Sequence, residues 1–401
     1  MKNNNEPKLR YPEFTDAWEK CKLGEVKDVR DGTHSSPKFY TDGYALITSK
    51  NLTEFGLDLS SVSFISQQDF DEINKRSKVD IGDIIFGMIG TIGNPILLEK
   101  EGFAIKNVAL IKQKEGEAVD NLFLIQLLKS SIFNNYIAKE NTGGTQKFLG
   151  LAQVRSFSFF NPTLPEQQKI GTLFRRLDRL ITLHKRKWDD VILLKKALLQ
   201  KMFPENDERL PEIRFPEFSG DWEKCKLGDL GTIEMNKRIF KEQTSTIGEI
   251  PFYKIGTFGG KADAFISKEL FEEYKSKYPY PNKGDLLISA SGSVGKVVEY
   301  SGKDEYFQDS NIVWFNHNGK LNNLFLKQFY SHVQWEGLEG STIKRLYNKT
   351  ILGTQISFPS LPEQQKIGTF FRRLDRLISH HQQQYEHYQL LKKALLQQMF
   401  I

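Results

Sequence analysis

The sequence has little of what would mark a secreted or metal-binding protein. It contains two cysteines in 401 residues, Cys21 and Cys225, and both lie in the same string, Trp-Glu-Lys-Cys-Lys-Leu-Gly. Because each cysteine repeats the local position of the other, we read them as small apolar side chains rather than as a disulfide. Two cysteines and seven scattered histidines give no zinc-ligand spacing, so no metal site is expected.

Long apolar runs are absent as well. No stretch approaches the roughly 18 apolar residues that a membrane-spanning helix needs, and the start, Met1 to Asn5, lacks the apolar core of a signal peptide. We therefore expect no membrane association and a cytoplasmic location. The composition, with 39% hydrophobic and 26% charged residues, is typical of a globular chain with two or three domains.

Motifs for catalysis are also missing. The string Gly-Ser-Val-Gly-Lys at 292–296 resembles a phosphate-binding loop, but Ala290 stands where the pattern needs its first glycine and no Ser or Thr follows Lys296. Asn94-Pro95-Ile96-Leu97 lacks the Pro-aromatic pair with which an adenine methyltransferase holds its base. No nuclease-like carboxylate cluster and no Ser/Cys–His pair has a supporting spacing, so we predict no catalytic residue in this chain.

What dominates the sequence is an internal repeat. The string Trp-Glu-Lys-Cys-Lys-Leu-Gly at 18–24 returns at 222–228, and residues 164–203 return as 361–400 with 28 identities in 40 positions. Between these blocks only short anchors match. A symmetric scaffold that carries two differently specified binding surfaces would produce this pattern; a simple duplication whose domains drifted is the alternative.

The repeated block predicts two long helices that pair. Thr163 to Glu166 and Ser360 to Glu363 read Ser/Thr-x-x-Glu, which predicts a capping box at each start. Apolar residues then recur at steps of three and four, a period typical of a coiled-coil seam. The predicted seam contains Phe174, Leu177, Ile181, Trp188, Phe371, Leu374, Ile378 and Tyr385, with His184 and His381 also on it and with Lys195 and Lys392 interrupting it.

The connection after the first helix suggests how the helices meet. Residues 204–215 can reach only about 40 Å when fully extended, which is too short to return to the start of that helix. The second globular segment should therefore begin near the far end of the first helix, and the second helix should run back antiparallel along it. The matched histidines of the seam are expected to be packed residues rather than metal ligands.

Positive charge is concentrated on the helices. Residues 164–203 carry a net charge of +6 and residues 361–400 one of +3, whereas the whole chain carries +6, so the remainder is about −3. A DNA contact in the globular segments must therefore use local patches. The clusters Arg175, Arg176, Arg179 and Arg372, Arg373, Arg376 could face DNA phosphates, acidic partner surfaces or solvent, and the sequence leaves all three open.

The globular segments offer candidate DNA-binding loops. Both mix short β-type runs, at 83–86, 104–112, 285–289 and 312–316, with glycine turns and a late helix, at 121–138 and 323–335. Side chains that suit base edges and phosphates lie in their polar loops. The candidates are Thr33, His34, Ser35, Lys38, Thr145, Gln146, Lys147, Lys237, Arg238, Lys254, Lys344 and Arg345.

Taken together, these motifs resemble the specificity subunit of type I restriction–modification systems. The resemblance is carried by the repeated Leu-Pro-Glu-Gln-Gln-Lys-Ile helix start, the Gly-Asp-Ile-Ile-Phe and Gly-Asp-Leu-Leu-Ile strands, the repeated cysteine string and the Asp-Gly-Thr-His-Ser-Ser-Pro-Lys loop. It covers essentially the whole chain, and the layout of two domains, each followed by the same helix, is specific.

The resemblance implies a function that the residues alone do not show. Each variable domain would read one half of a split, asymmetric site in double-stranded DNA, and the helix pair would fix the gap between the halves. Two methyltransferase (M) subunits would bind the chain and use S-adenosylmethionine to methylate adenine. Two motor–nuclease (R) subunits, dependent on ATP and magnesium, would join for restriction. No cofactor is expected on this chain, and the target bases do not transfer because the family varies those loops.

The sequence thus predicts an α+β fold with two globular α+β target-recognition domains, separated by two long antiparallel coiled-coil helices and related by an approximate two-fold axis. The predicted boundaries are 1–163 for the first domain, 164–204 for the central helix, 205–360 for the linker and second domain, and 361–401 for the C-terminal helix. Two rival functions remain: a coiled-coil adaptor whose end domains bind proteins, and an autonomous nuclease or methyltransferase.

Overall fold

The computed structural model of the chain describes residues 6–54, 56–116, 119–140, 148–205, 208–335 and 345–401. The chain divides into two units, one formed by Met1–Lys187 with His381–Ile401 and the other by Trp188–His380. Each unit contains one globular segment, the start of the long helix that follows it and the end of the long helix of the other repeat. Within the described ranges, no helix is long and apolar enough to cross a membrane.

In the first globular segment, short strands alternate with short helices. The strands are β1 (Glu19–Lys22), β2 (Lys27–Asp31), β3 (Tyr44–Ile47), β4 (Leu52–Thr53), β5 (Gly56–Leu57), β6 (Ser63–Ile65), β7 (Ile84–Gly87), β8 (Gly93–Leu97), β9 (Ala104–Ile105), β10 (Val108–Gln113) and β11 (Ser158–Asn161). The helices are α1 (Leu23–Val26), α2 (Gln67–Ser77), α3 (Asn121–Lys129), α4 (Ser131–Glu140), α5 (Leu151–Ser156) and the long α6 (Leu164–Lys201).

Most of these strands form two sheets. The main sheet has the antiparallel order β2-β10-β7-β8, and the smaller sheet has the order β6-β3-β9 with β3 and β9 parallel. The β-type run predicted at 104–112 is divided into two strands, because Asn107 adopts a left-handed φ of 55° and the chain passes there from one sheet to the other. The predicted helix at 121–138 is also interrupted: Ser130 is extended, and its Oγ accepts the Ile132 N–H at the start of α4.

The second globular segment repeats this plan. Its strands are β12 (Glu223–Lys226), β13 (Thr232–Glu234), β14 (Ile250–Tyr253), β15 (Ala264–Ile266), β16 (Leu286–Ser289), β17 (Val297–Glu299), β18 (Tyr306–Phe307), β19 (Ile312–Asn316) and β20 (Gln355–Phe358). Its helices are α7 (Leu227–Leu230), α8 (Lys268–Lys277), α9 (Asn323–His332), α10 (Asn348–Gly353) and the long α11 (Leu361–Met399). The main sheet has the order β13-β19-β16-β17 and the smaller one β15-β14-β18, which matches the first segment strand for strand.

The repeated helix start anchors each long helix to its own domain. The Gln167 side chain is buried; its Oε1 accepts the Asp120 N–H at the start of α3, and its Nε2 donates to the Pro162 carbonyl, both at 2.8 Å. Gln364 makes the corresponding two bonds in the second unit at the same distances. One turn later, Gly171 packs against Leu122, and a Cβ at this position would lie 2.7 Å from the Leu122 Cβ. The glycine is needed for this close approach.

The glutamate of the same motif has a role that local sequence did not reveal. Instead of forming the predicted capping box, the buried Glu166 directs both carboxylate oxygens at the Arg10 guanidinium, at 2.8 and 2.9 Å. Glu363 and Arg214 form the same two-bond pair, with both distances 2.7 Å. The hydrogen bond to Glu166 raises the pKa of Arg10. Each pair ties the segment before a domain to the helix after it.

Within the first unit, the ends of the two long helices run antiparallel. Successive contacts rise along α6 and fall along α11: Phe174 packs on Phe400 with ring centroids 5.8 Å apart, Asp178 bonds Lys392 at 2.5 Å, and His184 Nδ1 lies 3.1 Å from His381 Nδ1. The contacts confirm the predicted antiparallel orientation. The two histidine rings lie 5.2 Å apart, and the His184 ring also packs on Tyr388 with centroids 5.6 Å apart.

The second unit shows the same packing with the helices exchanged. Phe371 of α11 packs near Phe203, and Asp375 accepts a 2.6 Å bond from Lys195 of α6. The two lysines that interrupt the apolar spacing therefore form interhelix ion pairs at matched positions. Of the predicted seam, five residues are buried and three are half-buried. The buried ones are Phe174, Leu177, Ile181, Phe371 and Leu374; the half-buried ones are Trp188, Ile378 and Tyr385.

One end of the main sheet in the first domain is closed by a buried lysine. Lys27 begins β2, and its Nζ donates to Gln113 Oε1 at 2.5 Å and to the Val119 carbonyl and Asn121 Oδ1 at 2.6 Å. Burial lowers the pKa of Lys27 to about 8. Because Asn121 begins α3, this end of the sheet is fixed to the part of the domain that anchors α6. The candidate loops lie at the opposite end of the sheet, where β2 and β7 end and β10 begins.

Candidate nucleic-acid interface

The candidate loops of the first domain converge at that opposite end of the main sheet. Because β2, β10 and β7 are antiparallel neighbours, the end of β2, the start of β10 and the end of β7 lie side by side. Backbone hydrogen bonds join them: Asn107 donates to Thr33 at 3.1 Å, Met88 to Asn107 at 3.3 Å and Leu149 to Met88 at 3.0 Å. We call this surface the loop end of the first domain; it comprises residues 32–40, 88–92, 106–107 and 148–149.

The second domain has an equivalent loop end. The Ala290 N–H donates to the Asn311 carbonyl at 2.7 Å, and the Leu346 N–H donates to the Ala290 carbonyl at 2.8 Å. Asn236, just after β13, accepts the Phe307 N–H through its Oδ1 at 3.2 Å. This loop end comprises residues 235–241, 290–296, 308–311 and 345–347. The frame is thus the same in both domains, while the side chains that it displays differ.

In the first loop end, the predicted residues are held by a polar network. His34 is about half exposed, with Nε2 2.9 Å from Asp31 Oδ2 and Nδ1 2.9 Å from Asn107 Oδ1. Arg76 also binds Asp31. Lys38 lies over the Tyr40 ring, 5.6 Å from its centroid. Both ring nitrogens are therefore held by neighbouring side chains, which fixes the orientation of the imidazole while about half of the side chain stays exposed at the loop end.

Two further candidates lie beside this network. Thr33 Oγ1 accepts the Ser35 N–H at 3.1 Å, and the Thr33 N–H donates to Ile105 at 2.9 Å. Ser35 is exposed, and Lys106 bonds the neighbouring Ser36 hydroxyl at 2.6 Å. The loop is thus held by backbone and hydroxyl contacts on both sides.

In the second loop end, Lys237 and Arg238 are exposed. Lys237 Nζ lies 5.0 Å from the centroid of the Tyr278 ring, and Arg238 pairs with Asp309 at 3.0 Å. Arg345 lies over Tyr347, 5.8 Å from the ring centroid. These cations are brought together at one sheet end, as a nucleic-acid contact requires.

Lys254 also borders this end, since it follows β14 directly. Its Nζ pairs with Asp263 at 2.9 Å, which offsets its charge locally. The remaining predicted residues, Thr145, Gln146, Lys147 and Lys344, lie outside the described residues. Their immediate neighbours, Phe148 and Arg345, form bridges to the loop end of each domain, with Ile89 and Ser291 respectively.

The string at 292–296, which resembles a phosphate-binding loop, and the string at 94–97, which was compared with a methyltransferase motif, both have structural roles. Lys296 of the phosphate-loop look-alike donates to the Phe258 carbonyl at 2.5 Å, and Asn94 Nδ2 donates to the Leu52 carbonyl at 2.9 Å. Both strings lie at hairpins, β7–β8 and β16–β17. In the described part of the chain, no group of three or more His, Cys, Asp or Glu could hold a metal ion.

The long helices expose two kinds of side chain. All six arginines of the doubled cluster are exposed and make no ion pair with any described residue. Each unit also exposes leucines on the helix pair, Leu390 with Leu183 in the first and Leu193 with Leu377 in the second. Leu193 and Leu390 occupy the same repeat position and are each 68% exposed. Apolar exposure of this kind on a helix pair is typical of a surface that a partner covers.

Sequence reasoning chose polar and basic residues and missed the aromatic ones at the loop ends. Phe39 and Phe240 are among the most exposed aromatic side chains of the chain. The signal that could have revealed them is local: each follows a basic residue within two positions, in a polar segment where no apolar periodicity calls for a buried ring.

Comparisons with known proteins agree with this picture. The family described as "Type I restriction modification DNA specificity domain" matches residues 15–192 and 219–387. A Haemophilus influenzae protein named as a type I restriction enzyme specificity subunit is 48% identical over 178 residues, 41% of this chain and 46% of that protein, so the match spans about half of that relative.

Two further similarities extend over nearly the full length. The specificity subunit MjaX of Methanocaldococcus jannaschii is 23% identical over 434 aligned positions, 98% of this chain and 95% of that protein. The crystal structure of the S subunit of a type I restriction–modification system from M. genitalium superposes with a TM-score of 0.67 at 15% identity, with 99% of both chains covered. At that identity the superposition speaks for the fold alone.

Proposed function

The chain belongs to the family of type I restriction–modification DNA specificity subunits, and we propose that it reads a bipartite, asymmetric site in double-stranded DNA, one half with each domain. The observation that carries the proposal is the pair of loop ends. Both stand on the same four-stranded sheet and expose basic side chains there, Lys38 in the first domain and Lys237 with Arg238 in the second, yet their other side chains differ. The same four-stranded sheet carrying two different sets of side chains suits two different half-sites, because side chains, and not the sheet itself, contact the base edges.

Each domain would have its position set by the long helix that follows it. The Glu–Arg and Gln anchors join each domain to the first turn of its helix, and α6 and α11 are 38 and 39 residues long. Each helical residue adds about 1.5 Å of length. The number of helical residues between the anchors would therefore set the spacer between the half-sites.

We further propose that the chemistry belongs to partner subunits. Two methyltransferase subunits that use S-adenosylmethionine, and two motor–nuclease subunits that use ATP and magnesium, would assemble on this chain, which would itself bind no cofactor. Leu193 and Leu390 support this assembly, since each unit exposes one of these two leucines at the same repeat position. Two equal surfaces suit two equal partners.

DNA binding by the purified chain, alone and with its methyltransferase subunits, tests the reading function. We expect duplex binding that weakens steeply as salt rises and that prefers some sequences over others, because phosphates supply affinity and base edges supply preference. A protein-binding adaptor would show neither property. Methylation or cleavage of DNA by the chain alone would instead indicate an autonomous enzyme.

Replacing one exposed leucine with a charge tests the assembly surface. Leu193→Glu should displace one methyltransferase subunit, and Leu390→Glu the other, so that each variant copurifies with one copy where the natural chain binds two. Stability should change by only about 0.5 kcal/mol, since both positions are exposed. Leu59→Glu is the matched control, because Leu59 is also exposed but lies in the loop between β5 and β6 and not on a long helix. Retention of both subunits by both helix variants would exclude these surfaces.

A further inference from the structure

The exposed apolar residues of the chain fall into two classes that occupy different places. In the described ranges, every largely exposed aromatic side chain belongs to a loop end or touches one: Phe39, Tyr40, Phe148, Phe240, Tyr278 and Tyr347. The largely exposed aliphatic side chains lie elsewhere, above all on the long helices. Single exposed apolar residues need no explanation. The separation of exposed aromatic from exposed aliphatic side chains does need one, because it is repeated in two domains of different sequence.

In the first domain, Phe39 is 54% exposed on a loop that is pinned at both ends. At its start, Gly32 packs so closely that a Cβ would lie 2.3 Å from the Ile105 carbonyl oxygen. At its end, the Tyr40 N–H donates to the Phe64 carbonyl at 3.0 Å. The ring is therefore presented by an ordered loop, and its orientation does not depend on a mobile tip.

In the second domain, Phe240 is 52% exposed at the equivalent place. Its N–H donates to Gln243 Oε1 at 2.8 Å, and Ser245 then bridges to Phe265, as Tyr40 does to Phe64 in the first domain. The surrounding sequences differ, so the two phenylalanines are not remnants of one matched string. Each domain therefore has an exposed phenylalanine, held in place by backbone contacts, on the loop that follows the first strand of its main sheet, β2 or β13.

Cations accompany the other exposed rings. Lys38 lies over Tyr40, Lys237 over Tyr278, and both Arg345 and Lys349 lie near the face of Tyr347. A surface of aromatic faces with interleaved cations suits stacked bases and the phosphates beside them. A protein partner would be held as well by aliphatic side chains, and among the described residues of the loop ends no aliphatic side chain is largely exposed.

We propose that the exposed aromatic residues of each loop end stack on DNA bases, with Phe39 and Phe240 inserted against a base step that they hold unstacked in their respective half-sites. The proposal rests on the proposed function, that each domain reads one half-site. Insertion of an apolar ring between base pairs opens the step and bends the duplex, so that the sequence at that step contributes through its deformability.

The test uses the full chain, alone and with its methyltransferase subunits, and a DNA duplex that contains the sequence recognised for methylation. 2-Aminopurine, whose fluorescence rises when it is unstacked, replaces one base at a time. We expect a rise at one step in each half-site with the natural chain. Phe39→Ala should abolish the rise in one half only, and Phe240→Ala in the other, each with about a tenfold loss of affinity. Phe39→Trp, which keeps an aromatic face, should retain both the rise and the affinity.

Ile81→Ala and Leu210→Ala are the matched controls, because both residues are exposed and aliphatic and lie away from the loop ends; they should leave the fluorescence and affinity unchanged. Unchanged fluorescence and affinity in both phenylalanine variants would overturn the inference while leaving DNA reading intact. Loss of subunit assembly without loss of DNA affinity would also overturn it and would indicate a protein contact. Failure of the natural chain to bind any duplex with sequence preference would overturn the proposed function itself.

Discussion

Glu166→Ala is expected to destabilise the first unit by about 3 kcal/mol. The substitution leaves the Arg10 guanidinium, whose side chain is 12% exposed, without the carboxylate that accepts two of its hydrogen bonds. Removal of one partner from a buried ion pair costs about 3–5 kcal/mol, because the remaining charge stays desolvated and unpaired. Glu363→Ala should have the same effect on the second unit through Arg214.

Hydrogen exchange followed by mass spectrometry is the suitable measurement, since a two-unit chain need not unfold in one step. Glu166→Ala should raise exchange in peptides of the first unit and leave those of the second unchanged; Glu363→Ala should do the reverse. Glu13→Ala is the control, because Glu13 is paired with Lys169 on the surface, where such pairs contribute about 0–1 kcal/mol. An effect of Glu166→Ala no larger than that of the control would show that the pair does not anchor the helix.

Gly171→Ala is expected to change the stability of the first unit by the second largest amount. Two opposing contributions decide whether the substitution stabilises or destabilises. In a free helix the change stabilises by about 1 kcal/mol. Here the new Cβ would lie 2.7 Å from both the Leu122 Cβ and the Phe123 backbone nitrogen, so α6 must move away from α3. Overpacking of this kind costs about 1–3 kcal/mol, and since backbone cannot yield as a flexible side chain does, we expect a net loss of about 2 kcal/mol.

The same substitution at other glycines checks this reasoning in thermal or urea unfolding. Gly368→Ala should behave like Gly171→Ala, because its Cβ would lie 2.5 Å from the Leu324 Cβ. Gly353→Ala should be neutral or stabilising, since Gly353, the last residue of α10, has nothing within 4 Å of the added atom. If all three variants gained stability, the close approach of the long helices to their domains would be wrong.

How much of the structure the sequence could predict depended on how far apart along the chain the contacting residues lie. The long helices were predicted within three residues of their observed ends, since an apolar period over forty residues is a strong local signal. Their antiparallel packing followed from the length of one connection. The roles of Glu166 and Arg10, which are 156 positions apart, could not follow from any local pattern, and a capping box was the natural but wrong prediction.

The same limit explains the other differences. Lys195 and Lys392 interrupt the apolar spacing of the seam in the sequence. Their role as ion-pair partners could not be predicted, because Asp375 and Asp178 lie on the opposite helix. The break at Asn107 is decided by a left-handed residue between two sheets, and the polar pair Lys106-Asn107 within a β-type run does not by itself reveal it. The candidate DNA residues remain predictions, although most of the described ones share one sheet end per domain. Their convergence required the antiparallel order of the strands, which short runs alone do not specify.

Sequencing of methylated adenines in cells that carry the intact restriction–modification system tests the central claim most directly. The account predicts one asymmetric motif of two short specific halves, separated by a spacer of fixed length and free sequence. When residues 18–160 are replaced by the first domain of another family member, one half should change while the other half and the spacer stay. A contiguous or palindromic motif, or a change in both halves after the exchange, would contradict reading by two independent domains.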